Sequence, residues 1–499
     1  MMLTSFLLVP LVGAILAWVS AKLSPRAPKW VALLALFANS ALFFIAWNIG
    51  EKRTSLEDLW VLEFRWPWIL EWGIEFHLGL DGLSFVLGLL TNVMGVLALI
   101  TSWNRIKNQT GFFYFNLLLG VCGVLGVLLS LDLFLFFVFW EVMLIPIYFL
   151  VALWGYKRRF FAATQFFIFT QVSGLILLVS VLSLFFIHHA QTGVYTFDYN
   201  QLIQTTLPIT AEWLILIGFL AAFLVKLPAF PFHVWLPPLL AESPLAPILT
   251  GIMVKTGAYG LMRFALPLFP HASVQIAPVM LGLGVAGVIY GSVLAFSRDN
   301  PRQMLAYSTI AHMGLVLIGI FSESDLALSG VVVLLVTQAL TSSALLMLFD
   351  HVTQSTGEHR LSQMGGLFKT MPKAGTLTMI FIMASIGLPG LGNFIGEWLV
   401  LLGTFASYPL VTILAGTGLV LGALYSLRLL QQMFFGPHEG SSAPQDLAGR
   451  YVFVFAALVV TLVWIGLYPA PLLDMVASSW REETEAVLPP AVSHLGEQR

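Results

Sequence analysis

The chain has 499 residues, of which 59% are hydrophobic and only 10% are charged, with a formal net charge of −2. Because an ordinary soluble domain carries roughly 25% charged residues, this composition excludes a soluble enzyme and a basic nucleic-acid-binding protein. The single cysteine, Cys122, excludes an internal disulfide and is too few for a cysteine-ligated metal or iron–sulfur site. We therefore expect no metal or cofactor in this chain.

Apolar runs long enough to cross a bilayer recur along the whole chain, and they predict an all-α membrane protein of about fourteen helices. The runs are continuously apolar rather than alternating, which favours helices over a membrane β-barrel. The first run lacks preceding basic residues and a clear cleavage site, so we expect a retained helix. The predicted spans are 3–21, 28–48, 79–101, 112–130, 132–155, 162–187, 212–230, 245–268, 275–297, 302–321, 326–349, 375–404, 408–434 and 451–472.

Two of these spans contain helix breaks, KLPAFPFHVWLPP in the seventh and ASIGLPGLGNFIGEW in the twelfth. Broken helices at membrane depth occur where they line protein or a hydrated cavity. Because the breaks lie five spans apart, they predict two five-helix repeats of inverted orientation, as in ion transporters. The predicted domains are three N-terminal helices at 1–111, a first unit at 112–268, an inverted unit at 275–434, and a last helix with a polar tail at 451–499.

The lysines and arginines of the loops predict the orientation of the chain in the membrane. Fifteen of them fall in one set of alternate loops, and six, Arg263 among them, fall in the opposite set. Since cytoplasmic loops carry the excess of basic residues, we expect both termini to lie outside.

Four ionisable residues fall well inside apolar runs: Glu141, Lys226, Lys255 and Glu397. A charge at the bilayer centre costs about 2.5–3.5 kcal/mol on insertion scales, so such groups predict a function. Burial shifts the pKa values of lysines and carboxyl groups toward neutrality. At an effective dielectric of 20, a pair of opposite charges about 4 Å apart attracts by roughly 4 kcal/mol. Making or breaking a Glu141–Lys226 pair therefore has enough amplitude to drive a proton onward.

Each of these residues also has a structural interpretation. Glu141 and Lys226 are compatible with a static ion pair that holds two helices together. Lys255 is compatible with a side chain that snorkels to the surface, and Glu397 with a cap of the helix after the break. Four coincidences of this kind in one apolar chain are a weaker explanation than one proton path.

Several further polar residues give weaker signals. His312 is equally compatible with a structural histidine and with a relay member between Lys255 and Glu397. His233 follows the first break and is compatible with a loop-edge residue. Helix capping is the favoured interpretation of two aspartates near span ends. Three neighbouring hydroxyls are compatible with the sides of a water chain, although hydroxyls in helices usually bond back to the backbone. The two aspartates are Asp81 and Asp132, and the three hydroxyls belong to Tyr307, Ser308 and Thr309.

The strings FWEVMLIPIYFLVALWG, KLPAFPFHVWLPPLLAESP, MVKTGAYGLMRF, QMLAYSTIAHMGLV and MGGLFKTMPKAGTLTMIFIMASIGLPGLGNFIGEWLVLLG resemble the antiporter-like subunits of proton-pumping NADH:quinone oxidoreductase, respiratory complex I. The resemblance extends over nearly the whole chain. Within that family the acidic Glu397 resembles the M-type subunits, whereas L-type, N-type and Mrp antiporter subunits tend to carry lysine there. The L-type lateral helix is also missing.

The resemblance implies a role for each matching residue. Glu141 and Lys226 would form the coupling pair, Lys255 the central proton carrier, His312 a link in a hydrated axis, and Glu397 the terminal group near the exit. One departure concerns Gln338, which stands where such sequences often have a second histidine. Since glutamine holds water but does not titrate, the path beyond Lys255 would depend more on water.

The resemblance also implies the setting of the chain. It would be a multi-pass subunit of the membrane arm in a bacterial inner membrane, beside L-type and N-type antiporter-like subunits and the small K-type subunit. NAD, FMN, iron–sulfur clusters and quinone would belong to partner chains, where the redox chemistry occurs. The alternatives are a subunit of an Mrp-type cation/proton antiporter or of a membrane-bound hydrogenase, and a purely structural spacer of the membrane arm.

Overall fold

The computed structural model describes residues 2–51, 60–243, 249–436 and 444–476, which are almost entirely helical. Up to the first break the helices are α1 (Met2–Ser20), α2 (Ala27–Glu51), α3 (Gly82–Ser102), α4 (Thr110–Leu129), α5 (Leu133–Val142), α6 (Leu144–Trp154), α7 (Arg159–Thr192), α8 (Tyr199–Leu202) and α9 (Ile209–Lys226). They continue as α10 (Leu236–Glu242), α11 (Val254–Gly260), α12 (Leu266–Leu268), α13 (Pro270–Ser297), α14 (Pro301–Ile320), α15 (Asp325–Thr356), α16 (Pro372–Ser385), α17 (Gly392–Ser407), α18 (Pro409–Phe434) and α19 (Gly449–Leu467).

Twelve helical segments in the described residues are long and apolar enough to cross a membrane. One of them, Leu133–Trp154, combines α5 and α6, which meet at Met143. The prediction of an all-α membrane protein is confirmed. Two predicted spans, 245–268 and 375–404, consist of shorter pieces, so the count of fourteen stays a prediction. Residues 244–248 of the first of them lie outside the described residues. The division into two inverted units also stays a prediction.

Both predicted helix breaks are present. The first follows α9, whose last residue is Lys226, and separates it from the short α10. The second lies between the end of α16 at Ser385 and the start of α17 at Gly392. A third irregularity surrounds α11, which is flanked by the π-helical turns Leu249–Met253 and Leu261–Ala265. Such turns leave carbonyl groups outside the regular ladder and often occur at functional sites.

Small residues bring the helices around the breaks into close contact. A Cβ atom added to Gly314 of α14 would lie 2.6 Å from the carbonyl oxygen of Gly284 in α13. A Cβ on Gly396 of α17 would lie 2.6 Å from the backbone nitrogen of Leu334 in α15. Membrane helices pack in this way because lipid supplies no hydrophobic drive for their association. Helix α15 lies at the centre, and every residue of its most apolar stretch is buried.

Four short strands precede α3. Strand β1 (Leu62–Phe64) pairs antiparallel with β4 (Leu78–Leu80), and β2 (Pro67–Ile69) pairs with β3 (Ile74–Glu75). The hairpins end at Asp81, which caps α3 by accepting a hydrogen bond from the backbone N–H of Ser84. The capping interpretation of Asp81 and of Asp132, the N-cap of α5, agrees with the structure.

The prediction that Arg263 lies in an outer loop is wrong. Arg263 belongs to the π-helical turn after α11, is buried, and forms an ion pair with Asp81. Its guanidinium also lies over the ring of Trp60, with 5.0 Å between the charge centre and the ring centroid. Counting charges along the sequence missed this arrangement because the two partners are far apart in the chain.

We expect Arg263→Met to destabilise the subunit strongly, because the change leaves the carboxylate of Asp81 buried without its cation. Loss of one partner from a buried ion pair costs about 3–5 kcal/mol. The temperature at which the purified complex loses this subunit should fall well below that of the wild type. Arg450→Met, a matched change at an exposed arginine over Tyr451, should leave it unchanged. The prediction would be contradicted if both variants lost the subunit at the same temperature.

Candidate functional site

Three of the five predicted site residues lie beside a break or in the irregular region, and the other two, Glu141 and His312, lie within α5 and α14. Lys226 ends α9, Lys255 is the second residue of α11, His312 lies in the middle of α14, and Glu397 lies one and a half turns into α17. These four side chains are buried, with Lys226 and Lys255 exposed by 0% and 2%. Glu141, near the end of α5, is half-buried. Lys255 therefore does not extend to the surface of the bundle, so the snorkelling interpretation does not apply.

Glu141 and Lys226 do not form an ion pair within 4.0 Å in the described residues, so the static pair is absent. Lys226 Nζ lies over the ring of Trp140, 5.0 Å from its centroid. Neither Lys226 Nζ nor Glu141 Oε1 has a hydrogen-bond partner among the described residues. Glu141 Oε1 lies against the backbone of α7, because a Cβ on Gly174 would come within 1.9 Å of it. Lys226 Nζ and Glu141 Oε1 can thus each gain a hydrogen-bond partner.

Lys255 is hydrogen-bonded to a neutral amide rather than to an acid. Its ammonium donates to Gln338 Oε1 on α15, whose Nε2 lies 3.4 Å from Thr309 Oγ1 on α14. The hydroxyl of Thr309 donates in turn to the carbonyl of Leu305, at 2.9 Å. Since an ammonium only donates, its bond fixes which end of the Gln338 amide faces Lys255. The chain of contacts runs from the first half of the protein toward α14.

His312 and Glu397 are brought together. His312 Nδ1 lies 2.8 Å from the carbonyl oxygen of Ser308, which can only accept, so Nδ1 carries a proton. The other ring nitrogen, Nε2, faces Glu397 Oε1 at 3.4 Å. Nε2 can therefore accept a proton and hold it against the carboxylate. Glu397 does not cap its helix, because Leu391 is the N-cap and α17 has no side-chain cap bond.

The backbone of the second break closes around Glu397. Gly387 has φ +72°, a left-handed conformation that glycine adopts without a steric penalty. A Cβ atom at Gly387 would lie 2.4 Å from Glu397 Oε2. Position 387 thus requires glycine for two reasons: its backbone has a positive φ, and the carboxylate of Glu397 occupies the space of a side chain.

Small cavities adjoin the site. One of about 30 Å³ is lined by His312, Ser292, Ser385 and Tyr425 among others, and one of about 10 Å³ is lined by Lys255, Thr91 and Thr256. A cavity needs roughly 10–15 Å³ of this kind to hold one water with polar partners. The larger cavity can therefore hold water beside His312.

A charged cluster lies outside the spans, at the end of the bundle where α5 begins. Buried His77 lies between Glu63, at 2.7 Å, and Asp198, at 3.2 Å. Burial would raise the pKa of Asp198, but the hydrogen bond from His77 and the charges of His77 and Arg65 outweigh it and lower that pKa. Although Glu75, His77 and Asp198 have metal-ligand geometry, the Arg65 guanidinium, 2.7 Å from Asp198 Oδ2, already supplies their cation.

This cluster is connected to the start of α5. Asp132 accepts hydrogen bonds from the backbone N–H groups of Glu75, Phe134 and Leu135, at 2.9–3.0 Å. Burial is the main cause that raises the pKa of Asp132, to about 6. Asp132 caps the helix that carries Glu141 nine residues later, about 14 Å along the axis.

Sequence reasoning missed a buried charge cluster at the opposite end of the bundle. Asp350 of α15 accepts hydrogen bonds from Arg105, at 2.9 Å, from Arg302 and from the hydroxyl of Tyr156. The only sequence signal is one aspartate at the end of an apolar run. We call this the basic end, because Arg298 and Arg428 also lie there, with Arg428 bonded to the carbonyl of Phe296.

Comparison with known proteins places this geometry in a family. The family model described as "NADH:quinone oxidoreductase/Mrp antiporter, TM" matches residues 130–422. The chain is 43% identical to NADH-quinone oxidoreductase subunit M of Pseudomonas aeruginosa over 491 residues, with 96% of each chain covered. The chain belongs to the NADH-quinone oxidoreductase subunit M family. It is also 41% identical to subunit M of Escherichia coli strain K12, covering 95% of this chain and 96% of the relative.

Solved structures agree with membership in the subunit M family. A chain of respiratory complex I from Thermus thermophilus with bound NADH superposes with a TM-score of 0.87 at 28% identity, covering 98% of this chain and 100% of that chain. A chain of the Mrp complex from Dietzia sp. has a TM-score of 0.82 at 23% identity, covering 96% of this chain and 52% of that chain. The second likeness shows the fold alone.

We expect Gly387→Ala to impair proton transfer more than Gly390→Ala. Both glycines have positive φ, but a Cβ at Gly390 would meet nothing within 4 Å. Both variants therefore share a backbone penalty of about 1 kcal/mol, and only the first displaces Glu397. NADH-driven proton translocation should fall at least severalfold in Gly387→Ala complexes relative to Gly390→Ala complexes of equal assembly. Similar rates would show that the contact with Glu397 is unimportant.

We expect Gln338→Leu to reduce coupled NADH oxidation by about tenfold, because the ammonium of Lys255 loses its acceptor at a cost near 1–2 kcal/mol. Thr337→Val is the matched control, since the buried hydroxyl of Thr337 bonds only back to Val333 of its own helix. Oxidation rates in membranes with equal amounts of assembled complex provide the measurement. Unchanged activity of Gln338→Leu would exclude the amide from the path.

Proposed function

We propose that this chain is the proton-translocating membrane-arm subunit of an NADH:quinone oxidoreductase, in which partner chains oxidise NADH and reduce quinone. The observation that carries the proposal is the burial of four ionisable side chains, Lys226, Lys255, His312 and Glu397, in one apolar bundle, with polar partners between them. Intramembrane ionisable groups of this kind mark proton paths and ion sites.

The geometry supports different roles for the residues along the proton path. Glu141 and Lys226 lie more than 4.0 Å apart, and Lys226 Nζ and Glu141 Oε1 have no hydrogen-bond partner among the described residues, so a small approach would strengthen their attraction considerably. At an effective dielectric of 20 that attraction reaches roughly 4 kcal/mol at 4 Å. A change of charge at Lys226 would then be felt at Lys255, because α11 packs on the end of α9 through Gly257.

Transfer beyond Lys255 would use hydroxyls and water rather than a second histidine. Gln338 cannot take up a proton, but it holds Lys255 toward α14 through its contact with Thr309. His312 Nε2 would then receive the proton and pass it to Glu397 Oε1 across their 3.4 Å separation. Glu397 would be the terminal group, and its protonation would precede release.

We further propose the orientation and the partners. The basic end, with the Asp350 cluster, would face the cytoplasm of a bacterium, and both termini would lie outside. L-type, N-type and K-type subunits would flank the chain in the membrane arm. NAD, FMN, iron–sulfur clusters and quinone would be bound by partner chains.

An Mrp-type cation/proton antiporter subunit is the alternative function. The likeness to the Mrp complex favours it, although at 23% identity that likeness concerns the fold. The 43% identity to a subunit M over 96% of the chain favours the subunit M family. A requirement for sodium in the transport assay would favour the antiporter, and proton transport without sodium would oppose it.

We expect Lys255→Ala and Glu141→Ala to lower NADH-driven proton translocation and coupled NADH oxidation by at least about tenfold, since a positioned acid or base contributes about 10²–10⁴-fold. The measurement uses inverted membrane vesicles in which assembly of the whole complex has been verified. Lys373→Ala, at an exposed lysine, is the control and should pump normally. Near-wild-type rates in both test variants would identify the chain as a structural spacer.

A further inference from the structure

A second set of buried hydroxyls lies beside the His312–Glu397 pair and has no place in the path described above. Ser308 of α14 and Tyr425 of α18 are 2% and 3% exposed, and their hydroxyl oxygens lie 2.7 Å apart. Either hydroxyl can be the donor of this hydrogen bond. Ser308 is also one turn before His312 and provides the carbonyl that accepts the Nδ1 proton. The hydroxyl pair is therefore adjacent to the histidine.

Two cavities meet at this hydroxyl pair. The cavity of about 30 Å³ beside His312 and a second of about 10 Å³ share two lining residues, Ser385 and Tyr425. Ser308 and Ser426 contribute further hydroxyls to the smaller cavity, and Ser292 contributes one to the larger. Cavities with several polar partners hold water, whereas purely apolar ones stay dry.

The smaller cavity extends away from His312 toward the basic end. Its lining includes Met304, which lies within the first turn of α14, and Leu429, which follows Arg428 on α18. Its wall also contains Phe349, the residue before Asp350 of the buried charge cluster. The hydroxyls thus lie between the basic end and the His312–Glu397 pair.

The cavity beside Lys255 is separate. Its lining residues come from α3, α4 and the region around α11, and it shares none of them with the two cavities beside Tyr425. Among the described residues, the hydrogen bonds that lead from Lys255 toward α14 pass through Gln338 and Thr309. His312 therefore lies between two distinct polar routes.

We propose that Ser308 and Tyr425 form a second proton access, which joins the basic end of the bundle to His312 and Glu397 without passing Lys255. The proposal rests on the proposed function of the chain in proton transfer. Each hydroxyl accepts a proton from a neighbour on one side while it donates its own on the other, so neither oxygen is left charged. One proton enters at the basic end for each proton that reaches His312 Nε2, and no other reactant is consumed.

This access predicts that Tyr425→Phe slows the delivery of protons to Glu397 by about fivefold, the effect of losing one hydrogen bond of about 1 kcal/mol. Ser308→Ala should behave alike. Tyr114→Phe is the matched control, because Tyr114 is also buried and has a serine hydroxyl, that of Ser102, at 3.4 Å. It lies in the first half of the chain and lines none of these cavities.

The test measures protonation of Glu397 in the assembled complex after a jump in pH, by the infrared band of the protonated carboxyl group, which is assigned with Glu397→Gln. In Lys255→Ala complexes we expect the band to form at a rate within twofold of the wild type, although pumping is lost. In Lys255→Ala/Tyr425→Phe complexes it should form about fivefold more slowly. A purely structural hydroxyl pair would change thermal stability but not this rate.

The outcomes distinguish the proposed proton path through Lys255 from the proposed second access through Ser308 and Tyr425. If Lys255→Ala abolishes pumping and also stops formation of the band, the single path through Lys255 stands and the second access is wrong. If the Tyr425→Phe change leaves the rate in the Lys255→Ala complex unaltered, the second access is also wrong. If Lys255→Ala pumps normally, the proposed role of Lys255 fails, and the second access stands only if Tyr425→Phe still slows the band.

A second pair of variants tests the cavities themselves. Ser385 lines both cavities, so Ser385→Val fills their junction while leaving the Ser308–Tyr425 pair in place. We expect this variant to slow protonation of Glu397 at least threefold and Ser385→Ala, which keeps the space open, to slow it less. Equal rates for the two would overturn a route through water in these cavities.

Discussion

The need to keep ionisable groups in an apolar bundle governs the structure. A buried charge is tolerated only where polar groups are close to it, and a regular membrane helix keeps its backbone groups for itself. Three of the four buried ionisable residues of the candidate site lie where a helix is interrupted. Lys226 ends a helix, Lys255 lies between two π-helical turns, and Glu397 follows a break. The irregular backbone and these three ionisable side chains therefore occur together, whereas His312 lies in a regular helix.

Much of this could be predicted from the sequence because it depends on local patterns. The depth of each acid and base followed from its place in an apolar run, and proline and glycine marked both breaks. Long-range pairing could not be predicted in this way. Lys255 meets Gln338, and Arg263 meets Asp81, across 83 and 182 positions of chain, and only tertiary packing determines which helices touch.

The two halves of the candidate site differ in how their charges are satisfied. In the part of the chain that the structure describes, Lys226 has an aromatic ring but no hydrogen-bond acceptor, and Lys255 has a neutral amide. Of the five site residues, as far as the structure describes them, His312 and Glu397 are the acid and base that lie within 4.0 Å of each other, at 3.4 Å. The first half of the site therefore offers its two lysines neutral surroundings, whereas the second half brings an acid and a base within 3.4 Å of each other.

The glycines beside the two glutamates add a further constraint. Glu141 Oε1 lies against Gly174, and Glu397 Oε2 against Gly387, so each carboxylate rests on bare backbone. A side chain can rotate away from a moving neighbour. The main chain of Gly174 is held by the hydrogen bonds of α7, and the N–H of Gly387 donates to the carbonyl of Ala384, at 3.1 Å. Each carboxylate can therefore rotate only away from its glycine. The main chain thus limits the directions in which either carboxylate can exchange a proton.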